Sequence, residues 1–187
     1  MEKQCIGIDV SKDNLDCCFG RSDSSQNQKF GKSKRFKNSK TGFLEVLKWT
    51  KKQEGSGELI FVMEATGVYY ENLAFFLSEH DCKLSVLLPN TVKYYSKSLN
   101  VKTKTDQIDA EILSKMGLER KLMNWEMPTK IMRDLKFLSR EYREVKFKIN
   151  QIKNQIHARK HSHDCPLSVK KRMDKLLVLL EKQVLQI

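Results

Sequence analysis

Four acidic residues stand where carboxylates can act together: Asp9, Glu64, Asp106 and Asp109. Asp9 comes at the end of a short β-branched run over residues 5–10, and Glu64 directly follows the wholly apolar run Leu59-Ile60-Phe61-Val62-Met63. Both runs read as inner strands of an α/β sheet, and ligands of such sheets collect beyond the carboxyl ends of the strands. Asp106 and Asp109 lie three apart at the start of a helical stretch over residues 105–118. At about 100° per residue they share an arc with Ile108, Ala110, Ile112, Leu113 and Met116, while Gln107, Glu111, Ser114 and Lys115 take the opposite arc. Converging carboxylates repel unless a cation lies between them. Their hard oxygens suit Mg²⁺ or Mn²⁺, and two such ions about 3.5–4 Å apart polarise a scissile phosphate, generate hydroxide and stabilise the leaving oxygen. Competing explanations exist for each acid alone. A strand-end carboxylate also caps a loop or faces solvent, and first-turn acids favour the helix dipole, which accounts for Asp106 better than for Asp109.

Those carboxylates need elements to hold them. The polar turn Ser11-Lys12-Asp13-Asn14 separates the first strand from a second over residues 15–19. A loop over residues 21–28 leads to a third expected strand over residues 29–37, edge-like, with Phe30 and Phe36 among lysines. Leu44 and Leu47 predict a helix over residues 41–53, ended by Gly55-Ser56-Gly57. After Glu64, the residues Tyr69, Leu73, Phe76 and Leu77 share one helical face, and residues 84–88 form a further strand before Pro89. A meander followed by alternating strands and helices indicates a mixed α/β sheet, expected to occupy residues 1–125.

The remainder, residues 126–187, has a different pattern. Ile131, Leu135, Leu138, Tyr142, Val145, Ile149, Ile152 and Ile156 keep an unbroken a/d heptad spacing, so residues 130–159 read as one long helix wanting a partner. Beyond a polar break containing Pro166, the residues Met173, Leu177, Leu180, Val184 and Ile187 repeat the spacing, and the expected form is a coiled-coil hairpin. Self-association through residues 131–187 follows as an expectation.

Charge narrows the partner class. The 187 residues hold 35 Lys+Arg against 23 Asp+Glu, a net +12, which points to a polyanion, because phosphate contacts release counterions. Residues 29–52 carry nine Lys/Arg, among them Lys34, Arg35 and Lys37, against the single acid Glu45, and make a candidate DNA or RNA surface. Lys12 in the first turn, and Lys102, Lys104, Arg120 and Lys121 around the Asp106 helix, are further candidates for phosphate contacts. Five cysteines without a CxxC pair argue against a disulfide framework or structural zinc. The absence of a secretory h-region or of about 18 consecutive apolar residues argues for a cytoplasmic protein with no membrane partner.

With these residues in place, the chain resembles the N-terminal domain of the DEDD transposases, insertion-sequence recombinases related to the Piv invertase. Three motifs carry the resemblance: Ile6-Gly7-Ile8-Asp9-Val10-Ser11-Lys12, Met63-Glu64-Ala65-Thr66-Gly67-Val68-Tyr69 and Lys104-Thr105-Asp106-Gln107-Ile108-Asp109-Ala110. The resemblance implies an RNase H-like, RuvC-type sheet flanked by helices, with Asp9, Glu64, Asp106 and Asp109 as catalytic ligands of Mg²⁺ or Mn²⁺. It also implies DNA cleavage and strand exchange in transposition, and guidance by a structured bridge RNA. Family members continue into a second domain bearing a nucleophilic serine, so residues 1–187 are expected to be the front part of such a recombinase.

Other signals are weaker. His157, His161, His163 and Cys165 cluster, but their spacing fits no standard zinc pattern. Tyr94 and Tyr95 beside Lys93 and Lys97 suit either base stacking or core packing. Ser11 has no histidine near it in sequence to make a hydrolase triad. An ATPase or sugar kinase begins with a similar strand and acid, yet this chain is short for two lobes and lacks a Gly-rich adenosine loop. The alternative that stays open is a non-catalytic module for nucleic-acid binding and dimerisation.

Overall fold

The computed structural model describes residues 2–53, 55, 57–100 and 105–187, which form two compact units, Met1–Met127 and Pro128–Ile187. In the first unit, β1 (Lys3–Val10) and β2 (Asn14–Ser22) are antiparallel, while β5 (Glu58–Glu64) and β6 (Leu84–Leu87) continue the sheet in parallel on the other side of β1. The strand order is β3-β2-β1-β5-β6, with β3 (Gln28–Phe30) and β4 (Lys34–Lys37) both paired to β2. With helices packed on both faces, this is the mixed sheet flanked by helices that the sequence leads one to expect.

The third strand expected over residues 29–37 is two strands. Phe30 pairs with Gly20 and Lys34 with Cys17, so Gly31, Lys32 and Ser33 oppose only Phe19 and Cys18. One extra residue enters the ladder there as a bulge would, and the Gly31 N–H still donates to the Phe19 carbonyl at 2.8 Å.

Period-two alternation sorts β1 and β2 onto the two faces. Ile6, Ile8, Val10, Leu15, Cys17 and Phe19 join Phe61, Met63 and the inner residues of α1 (Lys40–Gln53) and α2 (Glu71–Glu79) in the main core. Fully burying each such aliphatic side chain contributes about 1.5–3 kcal/mol. Cys5, Val62, Leu113 and Leu118 form the core on the other face, where α4 (Asp106–Glu119) lies. Small residues bring α4 close. A Cβ at Gly7 would overlap the Ala110 carbonyl oxygen and the Ser114 amide nitrogen, and one at Gly117 would overlap the Cys5 sulfur.

Ser114, assigned by periodicity to a polar arc, is fully buried, and its hydroxyl donates to the Cys5 carbonyl at 3.2 Å. An additional helix, α3 (Pro89–Ser98), follows β6 and buries Tyr95 while leaving Tyr94 exposed. The Tyr95 hydroxyl donates to Glu119 at 2.6 Å, and burial followed by that carboxylate pushes its pKa well up. Residues 124 and 125 cover the outer edge of β6: Asn124 accepts from the Leu84 N–H, and the Trp125 N–H donates to the Leu84 carbonyl at 2.7 Å.

The second unit is a helical hairpin. α5 (Lys130–Lys160) starts at Thr129, whose hydroxyl caps the Met132 N–H, and α6 (Leu167–Val184) runs back along it. Val145, Ile149 and Leu180 are its buried centre, and Lys153 meets Glu181 at 3.0 Å. Along the first half of α5, Ile131, Leu135, Leu138 and Tyr142 are exposed. Among the described residues all five cysteines are free, and no helix is long and apolar enough to cross a membrane.

Candidate carboxylate site

Strand register brings two of the acids together. Ile8 and Met63 are the last paired residues of parallel β1 and β5, so Asp9 and Glu64 come next on neighbouring strands. Asp9 lies two residues after Gly7 and Glu64 two after Val62, and both therefore project to the face that α4 covers. α4 begins over that end of the sheet. Its N-cap is Thr105, whose hydroxyl accepts from the Ile108 N–H at 3.3 Å. Neither aspartate is therefore the cap. Asp106 and Asp109 occupy the first turn, exposed and half-buried respectively.

A fifth carboxylate lies on the same face. Asp16 of β2 is the direct cross-strand partner of Asp9 and is buried, with only 4% of its surface exposed. Arg35 of β4, its own cross-strand partner, grips it: Nε and Nη2 donate to both carboxylate oxygens at 2.9–3.1 Å. The same Nη2 also reaches Asp106 Oδ2 at 2.7 Å, so one guanidinium joins β2, β4 and α4.

The charge density is felt most at Asp9. Its carboxyl is pushed up to about 6, first by burial and then by Asp109, Asp106, Asp16 and Glu64 in that order. Two of the expected ligands have partners of their own: Asp106 bonds Arg35, and the Glu64 carboxylate accepts from the Thr66 hydroxyl. Among the described residues no three His, Cys, Asp or Glu side chains converge closely enough to hold an ion. The donor chemistry nonetheless fits a hard divalent cation: all-oxygen groups on one face, with mutual repulsion that such a charge relieves.

The rim is braced by Asn38, whose side-chain amide donates to the Ser11 carbonyl at 2.8 Å and to the Tyr69 carbonyl at 3.1 Å. It ties the turn after β1 to the loop after β5. In that loop Gly67 takes a φ of 61°, which a side chain would oppose.

The basic residues divide into separate groups. Lys12 is exposed in the turn beyond Asp9, and Lys37, beside Arg35 on β4, donates to Asn14 at 3.3 Å. Lys34 points to the opposite face, over the Phe36 ring and into a shallow cleft with Lys48, Trp49 and Lys52. Arg120 and Lys121 follow the far end of α4, about 20 Å along the helix from Asp106, and Arg120 lies over the Tyr95 ring. Lys102 and Lys104 fall outside the described residues.

Asp16, Thr66 and Asn38 were not singled out from sequence, and Arg35 was read only as a phosphate contact. Asp16 sits inside the apolar run of residues 15–19, and a lone acid in a buried strand is itself a signal, because its charge must be paired.

Residues 6–159 match a family model of DEDD transposases, described as "Transposase". The pilin gene-inverting proteins of Moraxella lacunata and Moraxella bovis are each 35% identical over 127 residues, which is 67% of this chain and 38% of theirs. This chain thus spans well under half the length of those curated relatives. Among solved structures, Thermus thermophilus RuvC superposes with a TM-score of 0.45 at 12% identity, covering 65% of this chain and 99% of that one. The fowlpox virus Holliday junction resolvase gives 0.44 at 16% identity, covering 62% and 98%.

Proposed function

The chain belongs to the DEDD transposase family, and from that premise we propose that it is the metal-dependent, DNA-cleaving part of a transposase or recombinase. The observation that carries the proposal is the gathering of Asp9, Glu64, Asp106 and Asp109 at one end of one sheet face, with Asp9 under the repulsion of the others. The name of the Moraxella relatives, gene-inverting proteins, fits DNA strand exchange as the wider reaction.

Asp9, Glu64, Asp106 and Asp109 would hold Mg²⁺ or Mn²⁺. When bound there, such an ion would supply Lewis acidity for phosphodiester cleavage at neutral pH. The chain's own residues prepare the place. β1 and β5 fix Asp9 and Glu64 side by side, the Thr66 hydroxyl orients the Glu64 carboxylate, and Asn38 keeps the rim closed. Lys12 and Lys37 stand at the same end of the sheet to meet DNA phosphates, and Lys34 with Lys48 and Lys52 offers a second strip to a structured guide RNA. Pairing through the exposed stripe of α5 would make the working form a homo-oligomer, acting in the cytoplasm.

A second reading, a module that binds nucleic acid without cutting it, is favoured by one observation: Arg35 rather than a shared centre holds Asp106. Nicking of branched or supercoiled DNA in Mn²⁺ separates the two. We expect metal-dependent nicking that falls to background in Asp9→Ala while DNA binding is retained. Nicking that survives Asp9→Ala overturns the catalytic reading, and equal DNA binding with no nicking by either protein supports the second.

A further inference from the structure

Arg35 touches two carboxylates of the crowded face at once. Its contact with Asp16 is two-pronged, with every oxygen of a buried carboxylate satisfied, whereas its contact with Asp106 is a single hydrogen bond between two half-exposed side chains. The two ends are therefore unequal. Breaking the Asp16 end strands a buried charge, which is costly, while breaking the Asp106 end releases both groups into water at little cost.

β-sheet register makes the arrangement fixed. Asp9, Asp16 and Arg35 are successive cross-strand neighbours on β1, β2 and β4, so the guanidinium is held two strands from Asp9 on the same face. Asp106, on the first turn of α4, is the group that can change partner.

We propose that Arg35, anchored on Asp16, is a positioning residue that acts as a latch on Asp106, holding it by an ion pair and competing with a divalent cation for it. The proposal rests on the reading that these acids bind such a cation. Asp106 joins the metal-binding set when it leaves Arg35, and Arg35 then stays beside the site on Asp16, with its freed Nη2 N–H turned to the face where a phosphate would lie.

Mn²⁺ titration by calorimetry tests this on the purified 187-residue chain. Arg35→Gln removes the competitor, and Mn²⁺ should bind about two- to fivefold tighter, the fold-change expected for loss of an exposed ion pair. In an Asp106→Asn background the gain from Arg35→Gln should vanish, because nothing remains to be released. Arg35→Lys, which keeps the charge but loses the two-pronged grip, should fall between.

A gain that persists in the Asp106→Asn background marks a general charge effect and overturns the latch. So does wild-type Mn²⁺ binding that Arg35→Gln leaves unchanged or weakens in a folded protein, with the metal reading left standing. No Mn²⁺ binding by wild type and Arg35→Gln alike overturns the metal reading and the latch with it. Thermal melting of each variant identifies any that fails to fold, and Arg35→Lys then stands in for Arg35→Gln.

Discussion

Gly7 and Ala110 meet backbone to backbone: the Ala110 carbonyl oxygen fills the space a side chain at position 7 would need. That approach sets the height of α4 above β1, and with it the distance of Asp106 and Asp109 from Asp9. Gly7→Ala should cost about 1–3 kcal/mol by overpacking, a drop of several degrees in Tm. It should also lift the first turn of α4 away from Asp9. Mn²⁺ affinity should therefore fall more in Gly7→Ala than in Ile8→Val, a main-core change of similar thermal cost made on the other face. Equal loss in the two variants would count against this account of the glycine.

Ionisation of Asp9 makes the stability of the metal-free chain depend on pH. Its carboxyl titrates near 6 in the folded chain against 3.8 when free, so the folded state holds the proton more strongly. Stability from this group is complete below about 3.8, is lost as pH rises through about 6, and is absent above that. Asp9 keeps part of its surface in water, and screening reduces the penalty to roughly 1 kcal/mol, or about 2–4 °C in Tm for a chain of this size. Melting Asp9→Asn beside the wild type should show matching Tm values at pH 4 and a more stable variant at pH 7.5. A difference that stays constant with pH would refute the assignment.

The strands that carry Asp9 and Glu64 were legible because each acid closes a strongly patterned apolar run. The apolar runs before Asp9 and Glu64 are period-specific, and their β-branched residues leave little choice but inner strands. The α4 face was harder to read. Ser114 looks polar in a helical wheel, yet helix–sheet contact through Ala110, Ser114 and Gly117 needs small side chains whatever their polarity. The bulge at Gly31 to Ser33 was hidden because a ladder with one extra residue keeps the same strand-like composition on both sides. Arg35 was read as one cation in a basic segment, because sequence cannot show that cross-strand register sets it opposite Asp16. Pairing across strands lies outside any local window, and so did the latch.

Separation of the basic groups predicts unequal roles in binding DNA. Lys12 and Lys37 lie at the Asp9 end of the sheet, whereas Arg120 and Lys121 lie beyond the far end of α4. Replacing Lys12 and Lys37 by alanine should weaken binding to duplex DNA and reduce the slope of log K against log[salt] by about 0.9 for each phosphate no longer neutralised. Arg120→Ala with Lys121→Ala should leave that slope within error, while lowering Tm because Arg120 no longer covers the Tyr95 ring. Fluorescence anisotropy over a KCl series measures the slopes, and thermal melting the Tm. Equal slope changes in the two double variants would show that DNA tracks along α4 instead.

The hairpin divides into a half that is covered and a half that is not, and the two should answer differently to substitution. Val145, Ile149 and Leu180 are buried between α5 and α6, so Ile149→Ala should cost about 2–5 kcal/mol of hairpin stability, seen as lost helicity on heating. Ile131, Leu135, Leu138 and Tyr142 keep the same heptad spacing but are exposed. Apolar residues at a and d positions are stabilised by a second helix, and another copy of α5 offers the complementary seam. Leu135→Lys with Leu138→Lys should therefore leave helicity unchanged and abolish self-association. Sedimentation at about 50 µM, where mass action favours any dimer of moderate affinity, should show the wild type as a dimer or larger and this variant as a monomer. A wild type that is strictly monomeric there would leave the stripe to some other partner and would remove homo-oligomer formation from the proposed function.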